Sequence, residues 1–255
     1  MKLATWNVNS LKVRLGQVQD WLEQHQPDVL CLQETKLTDE NFPQDEIADA
    51  GYRAVYTGQK TFNGVAILSR RQGDAVLTAI PGFEDEQKRF VAVTVNGMRV
   101  ICVYVPNGEA VGSKKYDYKL RWLPALAKWL RDELNTYPQL AVLGDYNIAP
   151  DDRDVHDPQA WAGKVLCSQQ ERDAFDQLLN LGLVDSFRLF DQPEKTYSWW
   201  DYRMMAFRRN RGLRIDHILL SRPLAQNCTA CWIDKATRKL ERPSDHAPVV
   251  VELSA

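Results

Sequence analysis

Asn96 and Gly97 separate two strand-like runs, 90–96 ("FVAVTVN") and 99–105 ("RVICVYV"). Asn-Gly is the strongest short hairpin signal, because both residues accept the positive φ that a tight turn requires. A hairpin imposes antiparallel pairing, so a purely parallel, doubly wound sheet is excluded. Further apolar runs of strand length lie at 2–7, 28–34, 52–57, 64–69, 140–145, 214–220 and 247–253. Helical periodicity covers about 11–25, 116–134 and 169–181, and Ser168 and Glu171 have capping-box spacing ahead of the last segment. Strands outnumber helices, which points to a mixed α/β sandwich. No linker, low-complexity segment or exact repeat interrupts the chain, so residues 1–255 are expected to form a single domain. The polar segment 146–167, punctuated by Pro and Gly, is too long for a tight connection; loops of that length are often functional.

The formal net charge of −2 makes the molecule no polycation, so nucleic-acid binding would need a local basic patch. The N-terminal "MKLATWNVNSLKVRLG" lacks a long apolar core, and nothing approaches the roughly 18 apolar residues of a membrane span. Neither a signal peptide nor a membrane location is therefore expected. Cys228 and Cys231 form a lone C-x-x-C with no second pair and no nearby histidine, which argues against zinc or redox chemistry. The scattered, odd set of five cysteines suits a reducing cytoplasm.

The ends of the strand runs share a peculiarity. "KLATWN" ends in Asn7, and "DVLCLQE" ends in Glu34. "LAVLGDYN" carries Asp145 and Asn147 just past its apolar stretch, "RIDHILLS" places Asp216 beside His217, and Asp245 and His246 precede the final run. Any one of these could be a turn former or a solvated side chain. Five separate strands each delivering such a group at one end suggest a ligand site. Carboxylates and carboxamides with one or two imidazoles suit a hard divalent cation, Mg²⁺ before others, held partly by water and substrate phosphate. Zinc would want Cys or more His. No Gly-x-x-x-x-Gly-Lys-Ser/Thr loop is present, and no Ser or Cys sits in a nucleophile elbow. What remains is metal-assisted attack of water on a phosphate ester.

"LATWNVNSL", "LCLQETK", "NGVAILSR", "YVPNG", "GDYNIAP", "GLRIDHILLS" and "PSDHAPV" resemble, in order and spacing, the motifs of the exonuclease III family. That family comprises Mg²⁺-dependent DNA-repair nucleases within the endonuclease/exonuclease/phosphatase superfamily. The resemblance covers about residues 1 to 253, and "RDVHDP" and "YSWWDYR" are closest to the bacterial branch. It implies a four-layered α/β sandwich, with two mixed, mostly antiparallel sheets packed face to face and helices outside. Carried over by motif position, Glu34 resembles the principal metal ligand, with Asn7 beside it and Asp245 reaching the metal directly or through water. Mn²⁺ is the alternative ion. Asp145 resembles the residue that aligns or deprotonates the attacking water, and Asn147 the one that holds a phosphate oxygen and orients Asp145. Tyr104 and Asn107 resemble phosphate contacts. His246 resembles the histidine that hydrogen-bonds the phosphate, and Asp216 its carboxylate partner. His217, which should point the opposite way from Asp216 on a strand, reads as structural.

The substrate needs its own argument. The stretch 197–216 carries Arg203, Arg208, Arg209, Arg211 and Arg214, with no acid between 203 and 214, interleaved with Trp199, Trp200, Tyr202 and Phe207. Guanidinium groups suit phosphates, and aromatic faces suit exposed bases or sugars. The resemblance makes Trp199 and Leu213 walls of a pocket for a base-less deoxyribose, with Trp200 where some relatives have Phe. Lys115, Lys119 and Arg121 fall near a second basic contact region, a solvated helix face being the alternative, and Arg89 is a further backbone contact. His156, in the long loop, would either obstruct a flipped sugar or contact phosphate. The expectation is a monomeric enzyme acting on double-stranded DNA with abasic sites or 3′ ends. It would be abasic-site endonuclease, 3′-end cleaning enzyme and 3′–5′ exonuclease in one. A lipid or small-molecule phosphatase is disfavoured by the arginine stretch, and a non-catalytic DNA binder by the filled catalytic positions.

Overall fold

A strand that is apolar at every position must be covered on both faces. In the computed structural model, which describes residues 1–254, both sheets meet that demand. One sheet contains β1 (Lys2–Asn7), β2 (Val29–Gln33), β3 (Arg53–Thr57), β4 (Val65–Ser69), β11 (Cys228–Ile233) and β12 (Val249–Leu253), ordered β11-β12-β1-β2-β4-β3. The other contains β5 (Asp74–Leu77), β6 (Phe90–Val95), β7 (Met98–Tyr104), β8 (Leu140–Asp145), β9 (Leu183–Asp185) and β10 (Asp216–Ser221), ordered β5-β6-β7-β8-β10-β9. Each sheet has one parallel pair at its centre, β1 with β2 and β7 with β8, and antiparallel neighbours elsewhere.

Parallel neighbours need a crossover, and helices supply both. Helix α1 (Leu11–His25) joins β1 to β2, while α2 (Gln44–Asp49) follows β2, and α3 (Lys114–Thr136) joins β7 to β8. Helices α4 (Pro158–Trp161) and α5 (Gln169–Asn180) follow β8, and α6 (Arg222–Gln226) follows β10. The apolar side chains fall into three layers. Val29, Ile67, Val100, Leu143 and Val251 fill the space between the sheets. Trp6, Leu30 and Leu68 face Val18, Trp21 and Leu22 of α1. On the other outer face, Ile101 and Val142 meet Leu123, Leu126 and Leu130 of α3 and Phe175 and Leu178 of α5. The result is the four-layered α/β sandwich that the motifs imply.

The hairpin forms as expected, with Val95 opposite Met98 and positive φ at Asn96 (51°) and Gly97 (78°). Ser168 and Glu171 complete the capping box of α5. The strand runs read from patterning omit β5, which is mostly exposed, β9, which has only three residues, and β11 around the two cysteines. The loop 146–167 contains a short 3₁₀ turn at Asp152–Asp154 and the single turn α4. Among the described residues no helix is long and apolar enough to cross a membrane.

Candidate active site

Because β1, β2, β7 and β8 run in parallel pairs within two stacked sheets, their carboxyl ends deliver side chains to one place. Asn7 closes β1, Glu34 follows β2, Tyr104 closes β7 and Asp145 closes β8. Gly144 permits the last of these. A Cβ there would lie 1.9 Å from the Val103 carbonyl oxygen, so only glycine lets β8 lie this close to β7. Glu34 leaves its strand in the left-handed region (φ 54°), as does Asn147 (φ 50°). Such backbone is strained for non-glycine residues and is held in place here by the hydrogen bonds around it.

Asn7 Nδ2 donates to Glu34 Oε1 and to Asp145 Oδ2, each at 2.9 Å, and so links the carboxylates of the two sheets. Its Oδ1 accepts from the backbone N–H of Asn9 at 3.0 Å, which fixes the amide orientation. Asn7 therefore stands beside the expected metal position as a hydrogen-bond donor, and its oxygen is turned away from it. Tyr104 donates its hydroxyl to Glu34 Oε1 at 2.9 Å, and Lys36 approaches Glu34 Oε2 at 2.8 Å. Burial raises the Glu34 pKa, but Lys36 and the Asn7 bond outweigh it, and the carboxyl group stays below its ordinary value.

The second half of the site descends from β10 and the approach to β12. His246 Nδ1 lies 2.8 Å from Asp216 Oδ2, and its Nε2 lies 3.8 Å from Asp145 Oδ2. Ser198, which no sequence motif singled out, donates its hydroxyl to Asp216 Oδ2 at 2.6 Å while accepting the backbone N–H groups of Ile215 and Asp216. Burial alone would lower the His246 pKa, but Asp216 and then Asp145 hold it up at about 10. The imidazole is thus a cation with both ring nitrogens protonated. Burial pushes Asp145 the other way, up to about 7; His246 works against this, and Asp216 works with it.

Ligating atoms of Glu34, Asp145 and His246 all lie within 4.8 Å of one another. The two carboxylates fit a divalent cation that prefers oxygen. A protonated imidazole fits a phosphate oxygen better than a metal. Asp245 lies outside this group. Its Oδ1 accepts from Asn9 Nδ2 at 2.9 Å and its Oδ2 from Trp199 Nε1 at 3.0 Å, which ties it to the segments after β1 and before β10. Asn147 donates its backbone N–H to Asp145 Oδ1 at 2.9 Å, and its own Oδ1 accepts from Asn107 Nδ2 at 3.0 Å.

The site opens onto a cleft of about 840 Å³ lined by Glu34, Lys36, Arg89, Tyr104, Asn107 and Lys115, among others. The Arg89 guanidinium carbon stands 4.6 Å from the Tyr104 ring centroid. On the far side, backbone bonds stitch Trp199 to Leu213 and Trp200 to Asp245. Arg203, Arg208, Arg209 and Arg211 are exposed there. Four residues of the basic and pocket-wall set are buried. Trp200, Leu213 and Lys119 are each 0% exposed, so none presents an atom to solvent. Arg214, two residues before β10, turns inward and lies between the buried carboxylates of Asp154 and Asp185. His156 contacts the Gly212 carbonyl oxygen at 3.2 Å, which ties the long loop to the arginine segment.

A model of the endonuclease/exonuclease/phosphatase family matches residues 4–246. The chain belongs to that family. It has curated relatives along its whole length. Exodeoxyribonuclease III of Haemophilus influenzae is 36% identical, with 99% of each chain covered. Two solved structures of the family superpose closely. The 3′ phosphatase NExo from Neisseria, bound to product DNA hairpin, gives a TM-score of 0.98 at 48% identity, with both chains covered completely. An AP endonuclease from Archaeoglobus fulgidus gives 0.96 at 37%, again with full coverage of both.

Proposed function

We propose that the chain is a monomeric DNA-repair phosphodiesterase of the reducing cytoplasm, with residues 1–255 as one catalytic domain. It incises duplex DNA 5′ to abasic sites, clears blocked 3′ ends including 3′-phosphates, and degrades duplexes from 3′ ends. One observation carries this reading: two carboxylates and an imidazole converge within 4.8 Å beside an exposed arginine segment. The names of the family relatives, a DNA exonuclease, a 3′ phosphatase seen with DNA and an abasic-site endonuclease, support it.

Glu34 would hold Mg²⁺, or Mn²⁺ as the alternative, whose charge polarises the phosphate and acidifies water. Asp145 takes a proton from the attacking water, since its proton affinity is balanced near neutrality. Asn147 fixes Asp145 through the backbone N–H on Oδ1 and, with Asn107, offers amide groups to the phosphate. His246 donates from Nε2 to a non-bridging oxygen, while Asp216 and Ser198 hold its ring. Burial first, and then Glu34 and Asp145, keep the Tyr104 phenol neutral and able to donate to the same phosphate. The water oxygen bonds to phosphorus, the P–O3′ bond breaks, and the 3′ oxygen leaves and takes up a proton. All three activities break that same bond and leave a 3′-hydroxyl. Arg203, Arg208, Arg209, Lys115 and Arg89 would contact the DNA backbone, which positions the duplex without reading sequence.

The test uses two matched duplexes, one with an abasic-site analogue in mid-strand and one with only a recessed 3′ end, each with Mg²⁺ and with chelator. Internal incision lost on chelation supports the full reading. Trimming from the 3′ end alone restricts it to exonuclease and 3′-end cleaning. Metal-dependent cleavage of neither duplex overturns it.

A further inference from the structure

Lys119 lies beneath the site on α3, with neither it nor its partner Glu171 exposed at all. Its ammonium group has three acceptors: the backbone carbonyl of Asn147 at 2.6 Å, that of Asn107 at 3.2 Å, and Glu171 Oε1. Three N–H donors meet three acceptors, which no other side chain of this size could satisfy from one atom. Glu171 is itself fully engaged. Oε1 also accepts from the Leu166 backbone N–H at 3.0 Å, and Oε2 accepts from the backbone N–H and hydroxyl of Ser168.

The two carbonyls belong to residues whose side chains act together above, where Asn107 Nδ2 meets Asn147 Oδ1. Asn147 also sits in the left-handed region, a conformation that needs external support. Asn107 is followed by positive φ at Gly108 (96°) and Glu109 (59°), so its loop too has little local preference for its shape. We infer that Lys119 is a positioning residue. It pins the backbones of Asn107 and Asn147 from behind, and fastens both to the start of α5 through Glu171. This rests on the proposed phosphodiester cleavage at Asp145 and Asn147. A lysine expected to touch DNA is on this view a strut for the residues that do.

The experiment compares K119M and K119M/E171Q with wild type on a recessed-3′ duplex at saturating Mg²⁺. R99M serves as a control, because Arg99 forms a buried ion pair with Glu133 at the far end of the same helix (Nε to Oε2, 2.8 Å). K119M leaves a buried carboxylate without its partner, so its Tm falls; the double variant removes that charge and recovers much of the loss. In both, kcat is expected to fall about hundredfold, the scale of a roughly 1 Å misplacement at a reacting centre. KM and the salt dependence of binding stay close to wild type, and R99M loses Tm without losing kcat. Recovery of kcat along with Tm in K119M/E171Q would reduce Lys119 to a packing role and overturn the inference. A raised KM with a salt slope flattened by one phosphate would return it to DNA contact and overturn the inference equally. Wild type that cleaves while both variants match it sinks this inference alone; inactive wild type takes the proposed function with it.

Discussion

His246 and Asp216 are joined at 2.8 Å through Nδ1, while the opposite nitrogen of the same ring faces Asp145 at 3.8 Å. One imidazole thus stands between a carboxylate that keeps it charged and another that must exchange a proton. The division of labour between Asp145 and Asp216 follows from these two distances.

Asp216→Asn removes the largest influence that raises the His246 pKa. The wild-type imidazole stays charged as pH rises until about 10, so activity has no basic limb from His246 near neutrality. In the variant that limb moves down toward 6.5, so loss of the charged form lowers kcat about fourfold at pH 7 and roughly 10²-fold near pH 8.5. The pH–rate profile checks both. A variant with an unmoved basic limb would remove His246 from the phosphate.

The proposed mechanism uses Asp145 in its ionised form, so activity should rise as pH increases through its pKa of about 7. A bound divalent cation favours the carboxylate, so the acid limb shifts to lower pH as the ion saturates. Asp145→Asn should abolish this limb with activity, while the circular dichroism spectrum is retained. Profiles taken at two Mg²⁺ concentrations test the direction of the shift.

His217, unlike His246, should be neutral in the folded protein. Arg214 Nη1 donates to His217 Nδ1 at 3.0 Å, which leaves Nε2–H to donate to the Ile148 carbonyl oxygen at 2.9 Å. Burial chiefly, helped by Arg214, lowers its pKa from 6.5 to about 4. The unfolded chain therefore takes up a proton that the folded chain refuses, and stability falls as pH drops from 6.5 toward 4. The full effect is about 3 kcal/mol. Urea unfolding of wild type and His217→Gln across that window measures it; identical pH slopes would refute the neutral assignment.

Arg208 and Arg214 look alike in sequence and should behave as different residues. Arg208→Gln is expected to leave stability within about 0.5 kcal/mol of wild type, since exposed sites tolerate change. It should flatten the salt dependence of DNA binding by about one phosphate. Arg214→Gln strands Asp185 in the interior, leaves Asp154 with Arg188 alone, and should cost about 3–5 kcal/mol of stability. Thermal melts and salt titrations separate the two outcomes.

That contrast also marks what the sequence can reveal. Asn7, Glu34, Asp145, Asp216 and His246 were legible because each interrupts an apolar strand run at its end, where sheet geometry gathers side chains. Arg214 was not, since its partners Asp154 and Asp185 come from 60 and 29 residues away. Lys119 did leave a trace: it shares the helical face of Tyr116, Trp122, Leu123 and Leu126, all buried. A lone lysine on an apolar face signals a buried partner more readily than a solvent-facing contact. Asn7 and Asp245 illustrate a different limit. A strand-end position does not say which way a side chain turns: the Asn7 amide is set by the nearby Asn9 backbone N–H, and the Asp245 carboxylate by the distant Asn9 and Trp199 side chains.

Strand β12 lies between β11 and β1, so His246 enters the site only when a late segment of the chain inserts beside its earliest strand. Glu34 and Asn7 emerge from the ribosome more than 200 residues before it. A nascent or partly unfolded chain therefore carries the carboxylates without the imidazole that completes them. On the proposed mechanism, cleavage therefore waits on the insertion of β12, which acts as the latch that arms the site.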